Sequence, residues 1–218
     1  MSETETLRWP VDHEHGGLRT AVLVSFIGVG VISFLISGSL LASFSFGGIL
    51  SVGIGILASV LITRVVEAGL KRRWPSGRTL EVTPESIRLA VRGDSQREID
   101  PTQHVNVLTW RFAINRRARV PKGWFVVALG LMQENVYIAV YTFMSPEEYK
   151  SLPLAEGYVV LNPPKKTEAD IRLAGQQRRL REAEVWRWNE GAELSKDDFI
   201  AYFNALTTRF PAWMIHPG

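Results

Sequence analysis

The residues of this sequence best suited to chemistry are four histidines and the carboxylates near them. The segment His13-Glu14-His15 brings two possible metal ligands together, but a structural metal site needs further ligands at a defined spacing. His104 follows Pro-Thr-Gln and lacks a neighbouring group that would make it a general base. Glu98 and Asp100 would share a strand face only if the strand continued past the following proline. The sequence therefore predicts no catalytic residues, no metal site and no cofactor.

Other chemical classes are excluded by what the composition lacks. The chain contains no cysteine, which rules out disulfides, thiolate metal sites and thiol catalysis. It also has no glycine-rich phosphate loop ending in Lys-Ser or Lys-Thr. No small-molecule substrate is identified, and we expect a protein that is not an enzyme. An enzyme whose site does not follow a known pattern is the alternative from that class.

Basic residues are the strongest candidate site, and we expect them to contact the anionic headgroups of membrane lipids. One group follows a long apolar segment and the other occupies a loop between two strands. The two groups are Lys71, Arg72, Arg73 and Arg78, and Arg116, Arg117, Arg119 and Lys122. Near an anionic leaflet each such residue contributes about 1 kcal/mol. For the loop, contact with another protein is an equal alternative. Nucleic-acid binding would need a broader basic surface with stacking aromatic rings, so no nucleic acid is expected.

The apolar segment that precedes the first basic group has the length of two membrane crossings. Residues 20–63 contain no Asp, Glu, Lys, Arg or His, and one transmembrane helix needs about 20 apolar residues. Serines and glycines between residues 37 and 48 favour a tight turn at its centre. The pattern therefore predicts a helical hairpin, with helices over residues 18–40 and 47–66.

The charges on either side of the hairpin predict its orientation. The segment 1–17 is polar and acidic, without the basic start of a signal peptide, so the first helix should remain in the mature protein. Basic residues near a membrane stay on the cytoplasmic side. We therefore expect both termini and the soluble part on the cytoplasmic side of a bacterial cytoplasmic (inner) membrane. Trp9 and Trp74 flank the helices, where indole rings suit the headgroup level.

Small residues recur along one face of each membrane helix. Such residues let helices approach closely in lipid. They are Ser25, Ser33 and Ser37 in the first helix, and Gly47, Ser51, Gly55 and Ser59 in the second. The two faces are expected either to pack against each other or to dock on another membrane protein. No charged residue lies at mid-membrane depth, so a transport function is not expected.

Beyond the hairpin, alternating apolar residues and turn signals predict short strands followed by helices. The expected strands cover residues 78–83, 86–92, 96–99, 105–115, 124–132, 136–143 and 158–161. The expected helices cover a short segment after Ser145, then residues 167–189 and 197–209, with serine caps at the first and the last. The fold class is thus a membrane helical hairpin plus an α+β domain, in which a small barrel or sandwich is followed by C-terminal helices.

The stretch LEVTPESIRLAVRGDSQREIDPTQHVNVLTWRF resembles bacterial pleckstrin-homology-like (PH-like) domains that follow a two-helix membrane hairpin. The matching motifs are Val82-Thr83-Pro84-Glu85-Ser86-Ile87, like the hairpin "VTPEGI-L" of that family, and Arg97-Glu98-Ile99. The resemblance covers residues 78–152 and implies a PH-like barrel closed by a helix. The helix after Ser145 is shorter than the usual closing helix. The closing helix is therefore either small, or replaced by the later long helix.

These observations give one organisation and one preferred function. The expected segments are a polar leader (1–17), the hairpin (18–67), a PH-like β domain (68–162) and a C-terminal helical extension (163–218). Trp186, Trp188 and Trp213 in the extension are expected to contact partners, because exposed tryptophans are enriched at interfaces. We expect an accessory, scaffolding or assembly subunit that binds other membrane-protein subunits. The alternative is a stand-alone module that binds anionic lipids, as a monomer or as a homo-oligomer.

Overall fold

A computed structural model of the chain describes residues 6–12, 16–114, 120–152, 157–161 and 171–214, without the side chains of residues 171–173 and 214. The described residues fall into two compact units. The first lies within His13–Ser76, and the second combines Met1–Asp12 with Gly77–Gly218. Each unit has its own architecture.

The first unit is a hairpin of two long helices. Helix α1 is Gly16–Leu40, with 25 residues, and helix α2 is Gly47–Arg73, with 27 residues. Both are long and apolar enough to cross a membrane, with mean hydropathies of 2.3 and 2.2. Helix α2 continues past the predicted end at residue 66. The prediction ended the helix with the apolar residues, whereas the charged residues that follow are also helical. The turn between the helices requires a glycine at position 47, where a Cβ atom would lie 2.0 Å from the carbonyl oxygen of Leu41.

The hairpin is closed by small residues. The buried residues of α2 recur at every fourth position: Gly47, Ser51, Gly55, Ser59 and Thr63. At Gly55 a Cβ atom would come within 3.1 Å of the carbonyl oxygen of Gly30, and a Cβ atom at Gly30 would come within 2.7 Å of Ser59 Oγ. The close approach of α1 and α2 therefore depends on the absence of side chains at both glycines.

The second unit contains two β-sheets, of which the first has four antiparallel strands. In spatial order these are β1 (Leu7–Pro10), β2 (Arg78–Val82), β3 (Ile87–Val91) and β4 (Asp94–Ile99). Strand β1 was not predicted. Its residues precede the hairpin, yet Leu7 pairs with Val82 and Pro10 with Thr79. Residues 7–10 therefore belong to the sheet and not to a separate leader.

The second sheet has five strands in the order β8-β5-β6-β7-β9. Its centre is an antiparallel meander of β5 (Asn106–Ala113), β6 (Phe125–Gln133) and β7 (Val136–Met144). Two-residue strands complete the edges: β8 (Val159–Val160) runs parallel to β5, and β9 (Ala192–Glu193) runs parallel to β7. The edge strand β9 comes from the predicted helical extension, which is therefore part of the same unit.

Among the described residues, four helices follow the meander: α3 (Pro146–Lys150), α4 (Ile171–Glu190), α5 (Lys196–Arg209) and α6 (Pro211–Met214). Helix α3 starts with a capping box, in which Ser145 and Glu148 bond each other's backbone N–H groups. Helix α5 starts at Ser195, whose side chain accepts a bond from the backbone of Asp198. Both caps agree with the sequence-based expectation.

Two hydrophobic cores lie on opposite faces of the five-stranded sheet. The larger core joins both sheets and is filled by α5 through Phe199, Tyr202, Phe203 and Leu206. The smaller core lies under α4, where Leu180 and Ala183 pack on Trp110 and its neighbours. Helix α5, and not the longer α4, therefore closes the larger core.

Trp9 occupies a different environment from the one predicted at the headgroup level. It is buried in the larger core, and its ring meets the ring of Tyr202 edge to face with centroids 5.6 Å apart. Strand pairing of β1 turns this side chain inward. Trp74 is exposed at the end of α2.

Candidate functional site

Three of the predicted lipid-contacting residues form the last turn of α2. Lys71, Arg72 and Arg73 are all exposed, and Lys71 Nζ lies 3.1 Å from Glu67 Oε1 one turn earlier. Cations at the C-terminus of a helix interact favourably with its dipole. This turn is therefore a stable helical end that presents positive charge to its surroundings.

Arg78 has a structural role that differs from the predicted contact with lipid. Its guanidinium pairs with the carboxylate of Asp12 and donates to the carbonyl oxygen of Glu190 over 3.0 Å. The other oxygen of Asp12 accepts the backbone N–H of Glu193 over 2.9 Å. We call the four residues Asp12, Arg78, Glu190 and Glu193 the clasp, because they join the segment after strand β1 to strand β2, the C-terminal end of α4 and strand β9. The charge of Arg78 is therefore matched inside the domain, and its contact with a lipid headgroup stays a prediction.

The basic loop is described only at its end. Arg116, Arg117 and Arg119 lie outside the described residues, and Lys122 is exposed. Arg111, on the strand before this loop, lies with its guanidinium carbon 4.8 Å from the ring centre of Phe125 and 4.6 Å from that of Tyr149. Arg111 therefore stacks between rings of its own domain.

The predicted packing residues of the hairpin bond mostly within their own helices. Ser51 Oγ donates to the carbonyl oxygen of Gly47 over 2.7 Å, and Ser59 Oγ donates to that of Gly55 over 2.9 Å. Ser37 Oγ donates to Ser33 over 2.7 Å and also approaches the carbonyl oxygen of Ser51 at 3.5 Å. Ser25, in α1, is half-buried. The hydroxyl groups of Ser37, Ser51 and Ser59 are therefore satisfied without water, as a membrane interior requires.

The three predicted partner-contacting tryptophans have different environments. Trp186 lies against Tyr137, with ring centroids 6.1 Å apart, and under the guanidinium of Arg97 at 5.4 Å. Trp213 stacks on Phe210 with ring centroids 4.4 Å apart and packs against the larger core. Trp188, by contrast, is 76% exposed. Of the three, Trp188 presents most of its surface to an external partner.

A buried polar network under α4 was not predicted. Arg187 is only 4% exposed, and its Nε and Nη2 atoms donate to Glu184 over 2.8 and 2.6 Å. Trp110 Nε1, on the sheet, donates to the same carboxylate over 2.9 Å. The guanidinium carbon of Arg187 also lies 4.5 Å from the ring centre of Tyr141. The only sequence signal was the spacing of Glu184 and Arg187 by three residues, which also occurs on solvated helix faces.

Two tyrosines beside this network are strongly affected by burial. Burial raises the pKa of Tyr141 to about 12, and its hydroxyl group donates to Glu193 Oε2 over 3.1 Å. Burial also raises the pKa of Tyr137 well above its usual range. The hydroxyl group of Tyr137 lies over Gly130, where a Cβ atom would come within 2.1 Å of it. Both phenols therefore stay neutral at physiological pH and act as structural groups.

The candidate residues for catalysis that the structure describes, His104, Glu98 and Asp100, each have separate partners. His13 and His15 lie outside the described residues, and His104 is exposed, with Nε2 at 3.2 Å from Asn106 Oδ1. Glu98 pairs with Arg88 at 3.0 Å, while Asp100 accepts bonds from Thr102 and Gln103. Those bonds lower the pKa of Asp100. Within the described ranges, no group of three His, Asp or Glu side chains is arranged to hold a metal ion.

Comparisons of the chain with protein-family models, curated proteins and solved structures find no match. The geometry itself supports a coarse description. In the ranges that the structure describes, two helices could span a membrane, and a sheet-rich domain is followed by C-terminal helices.

Proposed function

We propose that this chain is an accessory, scaffolding or assembly subunit of a larger bacterial membrane protein complex, and not an enzyme. In this proposal the helical hairpin anchors it in the cytoplasmic membrane. Both termini and the sheet-rich domain lie on the cytoplasmic side, where the domain contacts other subunits.

The pairing of β1 with β2 is the observation that carries this proposal. These strands flank the hairpin in the sequence and are hydrogen-bonded neighbours, with Trp9 opposite Leu80. Strands can pair only if both are on the same side of a membrane. The chain between the two strands, which contains both helices, must therefore cross the membrane an even number of times or not at all. The helices are long enough for two crossings, which meets this condition.

The polar groups of the hairpin favour an anchor over a transporter. Residues 20–63 carry no charge, and Ser51 and Ser59 donate to carbonyl oxygens of their own helix. A transport route for ions or protons usually needs charged or titratable side chains at this depth. The exposed basic turn at Lys71, Arg72 and Arg73 supports a cytoplasmic location for the domain, because basic residues are retained on that side.

The domain architecture is consistent with the PH-like resemblance. A four-stranded antiparallel sheet and a meander enclose one core, and an amphipathic helix, α5, fills it. This arrangement supports the proposal of a small β structure closed by a helix, which the resemblance implies. PH-like domains bind either proteins or lipids, so the fold by itself does not choose between these partners.

Purification of the full chain in a gentle detergent tests the proposal. Partners would be identified by mass spectrometry and the complex sized on a native gel. We expect other membrane proteins in fixed stoichiometry and a single large band. Recovery of the chain alone, as a monomer or homo-oligomer, would contradict the subunit function.

A second function is favoured by the exposed basic turn at the end of α2. In this alternative the chain works alone and binds anionic lipids through Lys71, Arg72 and Arg73 together with the loop containing Arg116, Arg117 and Arg119. Replacing the three loop arginines with alanine should then reduce selectivity for anionic lipid in reconstituted membranes. Replacing Lys71, Arg72 and Arg73 with glutamine in a second variant measures the contribution of the α2 turn separately from that of the loop.

A further inference from the structure

The tip of the hairpin is uncharged, and most of its side chains are exposed. The tip comprises residues 41–46, which join α1 to α2. Phe44 is 66% exposed and Phe46 is 76% exposed, although phenyl rings are unfavourable in water. Ser43 and Ser45 are also exposed and carry the only polar side-chain groups of the tip. A segment of this composition suits the edge of a lipid layer better than water.

We propose that the tip lies within the far leaflet of the membrane, at the boundary between hydrocarbon and headgroups, and presents no surface to the water beyond. The far leaflet is the one opposite the side on which the chain enters and leaves the hairpin. In this arrangement the phenyl rings contact acyl chains, the serine hydroxyl groups face the headgroups, and Arg64 marks the near edge of the hydrocarbon. The inference rests on the membrane anchoring proposed above, and it makes lipid, and not a soluble factor of the far compartment, the partner of the tip.

The length of the uncharged part of α2 sets the depth of the tip. This part runs from Gly47 to Thr63 and has 17 residues. At a rise of about 1.5 Å per residue it is about 25 Å long, whereas the hydrocarbon core of a bilayer is about 30 Å thick. Arg64, the next residue, is exposed and would stay at the headgroup edge, which its long side chain can also reach from a few Å below. The tip therefore begins at the far edge of the hydrocarbon or just short of it.

The register of the two helices gives the level of Arg64 against α1. A Cβ atom at Gly30 would come within 2.7 Å of Ser59 Oγ, so these two residues face each other in the antiparallel pair. Arg64 lies five positions after Ser59, which places it level with Ser25, five positions before Gly30. The turns of α1 that precede Ser25 are therefore level with the charged end of α2.

This register selects Arg64, and not Arg19, as the near edge of the hydrocarbon. The uncharged part of α1 begins at Thr20 and is longer than that of α2. If the hydrocarbon began at Arg19, both Arg64 and Glu67 would be immersed in it, where charged side chains are costly. Glu67 instead pairs with Lys71 over 3.1 Å within the charged last turns of α2. Those turns therefore limit how deeply the whole hairpin can enter the membrane.

The backbone of the tip is bonded in a way that lipid requires. The N–H group of Leu41 donates to the carbonyl oxygen of Ser37 over 2.9 Å. Phe44 donates to Leu41 over 3.0 Å, and Gly47 donates to Phe44 over 2.9 Å. Backbone groups at membrane depth need partners within the protein, because water is absent there. The turn thus continues the internal bonding of the helices on both sides of it.

The absence of native cysteine makes a direct test possible, because an introduced cysteine is then the only labelling site. The full chain would carry a fluorophore at Ser45→Cys and be incorporated into nanodiscs of phosphatidylcholine and phosphatidylglycerol, in which both membrane surfaces are open to water. Nitroxide groups on lipid acyl chains quench a fluorophore in the hydrocarbon, and iodide quenches one in water. Leu57→Cys, at an exposed position in the middle of α2, is the control for lipid, and Asp94→Cys, at an exposed position in β4, is the control for water.

We expect acyl-chain nitroxides to quench positions 45 and 57 strongly, and iodide to quench position 45 less than half as strongly as position 94. Iodide quenching at position 45 equal to that at position 94 would overturn the inference. Protection of position 45 from both quenchers would also overturn it, because protein would then cover the tip. Absence of lipid quenching at position 57 would refute the anchoring itself, so the two failures are distinguishable.

A second pair of variants tests whether Arg64 sets the depth. Arg64→Leu extends the uncharged part of α2 to Val66, by about 4.5 Å, which allows the tip to reach water. In the Ser45→Cys background, Arg64→Leu should at least double the iodide quenching. Arg64→Lys keeps the charge and should leave the quenching unchanged. Equal quenching in these two variants would overturn the assignment of Arg64 as the near edge.

Discussion

Removing the carboxylate of Glu184 should destabilise the domain more than a typical surface substitution does. That carboxylate accepts three bonds, two from Arg187 and one from Trp110. In Glu184→Ala the buried guanidinium would lose its counter-charge. Breaking a buried ion pair from one side costs roughly 3–5 kcal/mol. Because the side chain of Glu184 is 19% exposed, water can partly replace it, and we expect the lower end, about 3 kcal/mol.

The double variant Glu184→Leu/Arg187→Met supplies the matched control. Replacing both charges with apolar groups of similar size is often neutral or stabilising. Only the indole N–H of Trp110 would then lack its acceptor, at a cost of about 1 kcal/mol. The double variant should therefore be more stable than Glu184→Ala, although it changes more atoms.

Thermal unfolding of the full chain in detergent, followed by tryptophan fluorescence, measures both effects. For a domain of this size each 1 kcal/mol lowers Tm by roughly 2–4 °C, so Glu184→Ala should lose about 6–12 °C. A loss below about 2 °C would mean that the network contributes little. A double variant that is less stable than Glu184→Ala would refute the explanation based on an unpaired buried charge.

Three further predictions concern other parts of the chain. Gly55→Leu should weaken the helical hairpin, because a Cβ atom at this position meets a carbonyl oxygen at 3.1 Å. Gly53→Leu is the control, since nothing lies within 4 Å of a Cβ atom there. The thermal stabilities of the two variants are compared in the same detergent, and equal losses would contradict the packing. Asp12→Ala should release β1 by removing the partner of Arg78; we expect faster hydrogen exchange at residues 7–10, and unchanged exchange would show that the clasp is dispensable. The backbone N–H of Ser145 and the ammonium of Lys196 lower the pKa of Glu148. The stability that the Glu148 carboxylate contributes is present above the unfolded glutamate pKa of about 4.3 and is lost as pH falls through the lower pKa of the folded state. Glu148→Gln should therefore flatten this part of the pH–stability curve. An unchanged curve would exclude a contribution from Glu148.

Much of the fold could be predicted from the sequence because its patterns are local. The apolar run sets the hairpin, and alternation with turn signals places the strands from β2 to β7 within one or two residues. Serine caps mark the starts of α3 and α5. Each of these signals depends only on residues a few positions apart.

Features that depend on distant pairing could not be predicted. Strand β1 has only four residues and its partner lies about seventy positions later, and β9 has only two residues. Strand β5 has apolar residues on both faces, so its sequence pattern did not show what covers each face. In the structure, α4 covers one face, and the other face lies in the core that both sheets share.

The charge-based assignments had the same limit. The sequence placed Arg78 among the basic residues after the hairpin, but its partners Asp12 and Glu190 lie on segments far away in the chain. Likewise, the three-residue spacing of Glu184 and Arg187 is also found on solvated helix faces, and only the fold shows that this pair is buried beneath α4. Sequence reasoning could identify which residues are charged, but the tertiary fold decides which of those charges reach the surroundings.

The position of β1 constrains the order of events during synthesis. Residues 7–10 leave the ribosome well before β2, and both helices of the hairpin are translated between them. The edge of the first sheet can therefore form only after the nascent chain has passed through the whole hairpin. If the hairpin enters the bilayer as it is made, β1 can join the sheet only after β2 has emerged on the same side. Pairing of β1 with β2 would then show that the chain has crossed the bilayer twice and that both strands lie on the same side of it.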